Sequence, residues 1–354
     1  MGLFYEKLVR PAFFRLEPER AHQQALGALK LLKALGPLTR VLEWANQAGG
    51  GQPIECFGLR FPNVVGLAAG WDKNGEVWPV MAALGFGHAE IGTVTHQKQP
   101  GNPSPRLFRY KKDQALINRM GFNNHGAEAL ATLLQRQPAK ARRRIPLGIN
   151  IGKSKAAALD QAAEDYRASF SLLADHADYI TVNVSSPNTP DLRRLQGPGQ
   201  LGHLLDVLRE AREAHAQKRS EAPLPILVKI SPDESFRQLD AILETVIEKG
   251  FSGIVATNTT VSRPGRFREI EEAGGLSGGP LHPRSLEVVN YISRQTEGKL
   301  PIIGSGGILD IAGAGRFIDA GATLVQTYTG MVFRGPFFAR EVARGLSWHQ
   351  RPWI

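Results

Sequence analysis

PIIGSGGILDIAGAGRFIDAGATLVQTYTG, residues 301–330, settles the fold class. An apolar, β-branched run at 302–304 gives way to a glycine turn, a helical pattern at 310–320 and a second apolar run at 324–328. This spacing predicts a strand–helix–strand unit of the parallel kind, since a crossover between parallel strands needs a dozen or more residues. The turn Gly304-Ser305-Gly306-Gly307-Ile308-Leu309 approaches a dinucleotide fingerprint, but Leu309 stands where the third glycine belongs. In a doubly wound sheet that fingerprint would also follow the first strand. Here it follows the seventh strand candidate, where closed barrels bind phosphate.

Working back from this unit, further strand candidates lie at 64–67, 89–93, 147–151, 179–184, 226–230 and 253–257. Amphipathic stretches near 75–84, 126–135, 159–176, 201–217, 234–249, 284–296 and 336–346 separate and follow them. Several strand runs are apolar throughout, as strands buried on both faces are. Eight β-then-α units predict a closed α/β structure, the (β/α)8 TIM barrel, over residues 47–354.

Residues 1–46 differ in character and are read as a small N-terminal helical hairpin extension, with segments 3–14 and 18–35 ahead of a glycine link at Gly49-Gly50-Gly51. Pro18 suits a first helical turn. Ala25, Leu26, Leu29, Leu32 and Leu35 form a broad apolar face beside Lys30 and Lys33. Such a basic amphipathic hairpin either lies on an anionic membrane surface or packs on the barrel as core.

A hydrophobic fraction of 42% and a charged fraction of 21% are ordinary for a folded globular chain. Cys56 is the only cysteine, which excludes an intrachain disulfide and a cysteine-based metal site, and no histidine spacing suggests metal ligation, so no metal is expected. The net charge of +10 is concentrated in no stacking-rich segment. Its densest run, Lys140, Arg142, Arg143 and Arg144, precedes a strand and falls on the face opposite a barrel's usual site, so it reads as a solvated patch without nucleic acid. No stretch of about 18 apolar residues is present. Charges within MGLFYEKLVR argue against a secretory signal, which leaves the protein on the cytoplasmic side.

Function in barrels collects at the C-terminal strand ends. Those ends carry AAGWDKNGE with Lys73, then Thr93, Asn150, Asn183, Lys229, Thr257-Asn258-Thr259, Gly304 to Gly307, and Tyr328-Thr329. Amides, hydroxyls and ammonium groups can hold the edges of a flat heteroatom-rich ring while glycine amides cradle a phosphate, a set that suits flavin mononucleotide. After the fourth strand, Pro187 restricts Ser186 to extended geometry and presents its hydroxyl over the barrel mouth. No Gly-x-Ser-x-Gly elbow accompanies it, which counts against a hydrolase. The loop Asn118-Arg119-Met120-Gly121-Phe122 offers an amide and a positive charge to a small planar anion.

These stretches together resemble the dihydroorotate dehydrogenases, in ordered blocks from PERAH (18–22) through GLAAGWDKNGE, EIGTVT, INRMGFNN, GINIGKSK, TVNVSSPNTP, ILVKISPD, ATNTT and GGLSGGPL to LVQTYTG. The hairpin, and serine where class 1 relatives carry cysteine, point to the class 2, quinone-dependent branch of bacterial type. The resemblance implies oxidation of dihydroorotate to orotate in pyrimidine biosynthesis, with one FMN per chain. Ser186 would be the base. Lys73, Asn118, Asn183, Asn188, Asn258 and Thr259 would bind the pyrimidine, with Arg119, Met120, Gly121 and Phe122 in the adjoining wall. FMN contacts would come from Ala69, Gly70, Trp71, Asp72, Lys73, Thr93, Asn150 and Asn183, and from Lys229, Thr257, Gly278, Gly307, Tyr328 and Thr329.

His22 and Arg106 would line access for ubiquinone or menaquinone. The implied state is a monomer, peripheral on the cytoplasmic face of the cell membrane. Trp71, His96 and Lys98 depart from the family pattern. A class 1 enzyme or a tRNA dihydrouridine synthase would need cysteine at position 186, and a membrane-docked binding protein with an inactive barrel would not need these residues at all.

Overall fold

The computed structural model describes residues 2–47, 52–189 and 191–347; the glycine link at 49–51 lies outside them. Strands β1 (Ile54–Cys56) and β2 (Leu59–Phe61) form a hairpin whose Phe61 ring meets the buried His88 at 5.4 Å. Then come β3 (Val65–Leu67), β4 (His88–Val94), β5 (Leu107–Tyr110), β6 (Ala115–Asn118), β7 (Leu147–Ile151), β8 (Tyr179–Asn183) and β9 (Ile226–Ile230). The last four are β10 (Gly253–Ala256), β11 (Gly275–Gly278), β12 (Ile302–Ser305) and β13 (Leu324–Thr327).

Strands β3, β4, β7, β8, β9, β10, β12 and β13 pair in parallel in that order, and β13 closes on β3. The eight units read from the sequence thus close a TIM barrel. Every residue of β7, β8 and β9 is buried, because helices cover the outer face while side chains fill the interior. That interior includes a polar layer. The Glu90 carboxylate accepts from Asn150 Nδ2 at 2.8 Å, Thr181 Oγ1 at 3.0 Å and Gln326 Nε2 at 2.9 Å, so its burial is compensated.

The N-terminal segment begins with α1 (Gly2–Phe4), a π-helical turn (Tyr5–Val9) and α2 (Arg10–Phe13), followed by α3 (Pro18–Ala34) and α4 (Gly36–Gln47). The sequence reading stopped at residue 35 and missed α4. Gly36-Pro37 looks like a terminator, yet proline is also at home in a helix's first turn, and here it opens a new helix. Lys30 pairs with Glu76 at 2.7 Å and Lys33 Nζ donates to the Glu76 carbonyl at 2.9 Å, which fastens α3 to the barrel. Ala21 and Leu29 face inward, whereas Leu31, Leu38, Val41 and Trp44 stand in solvent, Trp44 with 72% of its surface free. Of the predicted apolar face, Leu29 is buried and Leu35 exposed, and the missed helix α4 adds further exposed apolar side chains. No described helix is long and apolar enough to cross a membrane.

The crossover helices are α5 (Ala127–Leu134), α6 (Ala162–Leu173), α7 (Pro198–Arg219), α8 (Phe236–Glu248), α9 (His282–Gln295), α10 (Ile311–Asp319), α11 (Thr329–Arg334) and α12 (Phe338–Leu346). Helix α8 shows why they form. Ser235 and Gln238 make a capping box, and Leu239, Ile242, Leu243 and Val246 bury one stripe at about 2 kcal/mol each. The predicted helix at 75–84 is instead two 3-10 turns, Trp78–Val80 and Ala82–Leu84. Pro79 interrupts the pattern and the Asp72 carboxylate draws in the amides of Glu76, Val77 and Trp78, each at 2.8 Å.

Arg143, expected in a solvated patch, is held by Asp178 at 2.7 Å against the Trp78 ring, while Arg144 stays exposed. The sequence reading also missed the antiparallel sheet β11-β6-β5 laid beside the barrel mouth. Strands β5 and β6 form a hairpin within the loop after β4, and β11 joins it from the distant loop after β10, so no local pattern joins all three.

Candidate active site

At the C-terminal ends of the barrel strands lies a cavity of about 150 Å3. Its floor is a ring of amides and hydroxyls whose orientation is fixed from below. Because carboxylate oxygens only accept, Asn150 must turn its Nδ2 toward Glu90, leaving Oδ1 to accept from Thr93 Oγ1 at 2.5 Å and Asn183 Nδ2 at 3.2 Å. Asn183 Oδ1 in turn accepts from Asn258 Nδ2 at 3.2 Å and Ser185 Oγ at 3.2 Å.

Two lysines supply the charge. Lys229, on β9, is 6% exposed and makes no hydrogen bond or ion pair; burial pulls its pKa down and the Glu90 charge pulls it up. Lys73 follows β3, and burial brings its pKa down to about 8, against the Glu19 charge that raises it. Among the described residues neither ammonium group has a hydrogen-bond partner, and both lysines line the cavity.

Ser186 sits on the loop after β8, 5% exposed, its Oγ accepting from the Asn188 N–H at 3.3 Å. Asn188 Nδ2 donates to Asn118 Oδ1 at 3.1 Å, so the Ser186 loop and the end of β6 meet across the cavity. Phe122, in the left-handed region at φ 53°, is held there by Asn124 Nδ2 donating to its carbonyl at 2.7 Å. On the far side, Gly307 (φ 67°) approaches Gly278 so closely that a Cβ would fall 2.4 Å from the Gly278 carbonyl oxygen. The Gly278 carbonyl fills that space, so only glycine fits at 307, and the Gly306-Gly307 backbone borders the cavity without side chains.

A second, apolar cavity of about 1220 Å3 lies under the N-terminal helices. Phe13, Phe14, Ala25 and Leu29 line it on one side, Met331 and Phe337 on another. His22 faces it, its ring 5.0 Å from the Trp71 ring, and burial brings its pKa down to about 4, so it is neutral at pH 7. Leu107, Leu116 and Tyr328 line both cavities.

A family model described as dihydroorotate dehydrogenase matches residues 53–349. The chain belongs to the dihydroorotate dehydrogenase family. It is 48% identical to a dihydroorotate dehydrogenase (quinone) of Chloroflexus aurantiacus over 99% of this chain and 98% of that one. A dihydroorotate dehydrogenase (quinone) of Thermosynechococcus vestitus is also 48% identical, over 97% and 96% of the two chains. The crystal structure of DHODH from Eimeria tenella in complex with ferulenol superposes with a TM-score of 0.78 at 35% identity, covering 88% of this chain and 90% of that one. Dihydroorotate dehydrogenases are flavin-dependent oxidoreductases of pyrimidine biosynthesis.

Most residues anticipated for a dihydroorotate dehydrogenase meet at the small cavity. Ala69, Gly70, Lys73, Thr93, Asn183, Lys229, Thr257, Gly307, Tyr328 and Thr329 line it. So do Asn118, Met120, Gly121, Phe122, Ser186, Asn188, Asn258 and Thr259. Six others are placed elsewhere. Asn150 lies beneath the cavity and orients its floor, and Gly278 stands behind Gly307. Asp72 spends its carboxylate on backbone amides, and Trp71 turns to the apolar cavity. Arg119 lies over the Phe108 ring at 4.5 Å with Nη1 donating to the Ala273 carbonyl. Arg106 does not face the apolar cavity; Arg109 does, its guanidinium 4.2 Å from the centre of the Phe14 ring.

The period of two explains the exchange, since Leu107 and Arg109 share one face of β5. Sequence reasoning missed Glu90, although a lone charge in the apolar run HAEIGTV was a usable signal. It also missed Thr189, three residues past Ser186, a buried hydroxyl without a partner among the described residues.

Proposed function

We propose that this chain oxidises (S)-dihydroorotate to orotate in pyrimidine biosynthesis, with FMN as its flavin and a membrane quinone, ubiquinone or menaquinone, as final acceptor. The observation that carries this reading is the shared wall. A small polar cavity with two unpaired lysines and a large apolar cavity meet at Leu107, Leu116 and Tyr328, so a ring bound there is reachable by an anion from one side and a lipid-soluble acceptor from the other.

The residues present suit a flavin. The amide ring at Thr93 and Asn183 would hold the edge of its ring system, Lys229 would face it with a positive charge, and the Gly306-Gly307 and Tyr328-Thr329 backbone would take its phosphate. When bound, the flavin accepts a hydride from C6 of the substrate and passes two electrons to the quinone. Lys73 and the amides of Asn118, Asn188 and Asn258 would bind the substrate carboxylate and ring. Ser186 Oγ would take the C5 proton, the loop around it excluding water. His22, neutral and set in the apolar wall, and Arg109 would meet the quinone head. The exposed Leu31, Leu38, Val41 and Trp44 would rest on an anionic membrane surface at its cytoplasmic face, with the protein a monomer.

The test is the absorbance of the purified protein followed by anaerobic addition of dihydroorotate. A flavin spectrum that bleaches with dihydroorotate and returns with quinone is expected; a protein that takes up no flavin, or whose flavin dihydroorotate leaves unbleached, refutes the assignment.

A further inference from the structure

We propose that Glu19, on the N-terminal helix α3, is a positioning residue for dihydroorotate binding, acting on Lys73 through space and on the Ser186 loop through Arg106 and Asn102. The inference rests on the reading of the small cavity as the dihydroorotate site. It gives the hairpin a role in the pyrimidine half of the reaction as well as beside the apolar cavity.

The path is continuous in hydrogen bonds. Glu19 takes the Arg106 guanidinium in a bidentate pair, Nη2 to Oε1 at 2.7 Å and Nε to Oε2 at 3.1 Å, with both side chains largely buried. Arg106 Nη1 donates to the carbonyls of Pro100 at 2.7 Å and Asn102 at 2.8 Å, which fixes this loop against α3. Asn102 then divides its amide. Its Nδ2 donates to the Arg119 carbonyl at 3.0 Å and the Asn188 carbonyl at 3.3 Å, one acceptor on each loop that walls the cavity. Asn188 is the residue whose N–H reaches Ser186 Oγ. There is no slack at this joint, because a Cβ on Gly121 (φ 69°) would come within 2.7 Å of the Asn102 side chain. A guanidinium freed of Glu19 loses the geometry that holds this chain in register.

The electrostatic arm runs in parallel. The charged groups acting on Lys73 are Glu19 and Arg106, the first favouring its ammonium form and the second opposing it; His22 also faces Lys73, but its pKa of about 4 keeps it uncharged across pH 6 to 9. Glu19 also acts on His22 and on Tyr328, so this one carboxylate stands between the two cavities. Without it, Lys73 and Arg106 are two partly buried cations with no intervening counter-charge, and Lys73 gives up its proton at lower pH. An anionic pyrimidine then meets a neutral amine where the native protein offers an ammonium group.

The experiment is calorimetric titration of orotate into the full-length, flavin-loaded protein from pH 6 to pH 9, for the wild type, Glu19→Gln, Asn102→Ala and Glu76→Gln. In Glu19→Gln the fall of affinity with rising pH is expected to move down by about one pH unit, giving about fivefold weaker binding at pH 8 and about tenfold at pH 9. Asn102→Ala, which keeps the Glu19 charge, is expected to bind about tenfold more weakly at every pH with no displacement of the profile. Glu76→Gln loosens the hairpin at a different anchor and is expected to match the wild type. The proposal is overturned by a wild-type profile in Glu19→Gln, by wild-type affinity in Asn102→Ala, or by the same displacement in Glu76→Gln, which would make general detachment the cause. Failure of the wild-type protein itself to bind orotate would instead refute the underlying assignment of the cavity.

Discussion

Asn150 Nδ2 donates to Glu90 Oε1 at 2.8 Å, and this bond sets the direction of the Asn150, Asn183 and Asn258 amides at the barrel mouth. A buried carboxylate that satisfies Asn150, Thr181 and Gln326 together cannot be removed without stranding three donors. Glu90→Leu is therefore expected to destabilise the protein by about 3 kcal/mol or more in denaturant unfolding and to weaken flavin retention, read by absorbance after gel filtration. Glu90→Gln, which can still accept through its carbonyl, is expected to cost less than Glu90→Leu. Wild-type stability in Glu90→Leu would remove Glu90 as the keystone of the layer.

Ser186→Ala should leave flavin content unchanged, because the Ser186 Oγ accepts only from Asn188 N–H on its own loop. Anaerobic stopped-flow bleaching by dihydroorotate is expected to slow by about 10²- to 10⁴-fold at neutral pH, the range that a positioned base supplies. An unchanged bleaching rate rules Ser186 out as the base.

Lys73 links binding to stability. Its folded pKa of about 8 lies below the ordinary lysine value of 10.5, so between those limits the unfolded chain holds more protons and stability rises with pH. Below pH 8 the burden of the buried ammonium is present in full. Lys73→Met should accordingly melt higher than the wild type at pH 7, with the gain shrinking toward pH 10, while orotate binding is lost. A variant that melts lower at pH 7 would contradict the burial of this charge.

Ala25 faces the apolar cavity from α3 and has room around it. Ala25→Trp is expected to lower kcat/KM for a short-chain quinone by about tenfold or more while dihydroorotate still bleaches the flavin at its normal rate. Equal loss in both half-reactions would mean that the two cavities do not serve separate partners.

The sequence alone determined the barrel, because eight apolar strand runs and their amphipathic partners are local periodicities, and it determined most of the small cavity, because strand ends fall at readable places. What it left open depended on contacts between distant segments. Asp72 and Arg119 are as polar as Lys73, and only packing turns the first toward the amides of residues 76–78 and the second across Phe108, while Lys73 points into the cavity. Likewise Arg106 and Arg109 sit three residues apart in one strand-forming stretch. The position of α3 over β5 decides that Glu19 takes Arg106 and leaves Arg109 facing the apolar cavity, since an ion pair forms where tertiary structure brings the charges together.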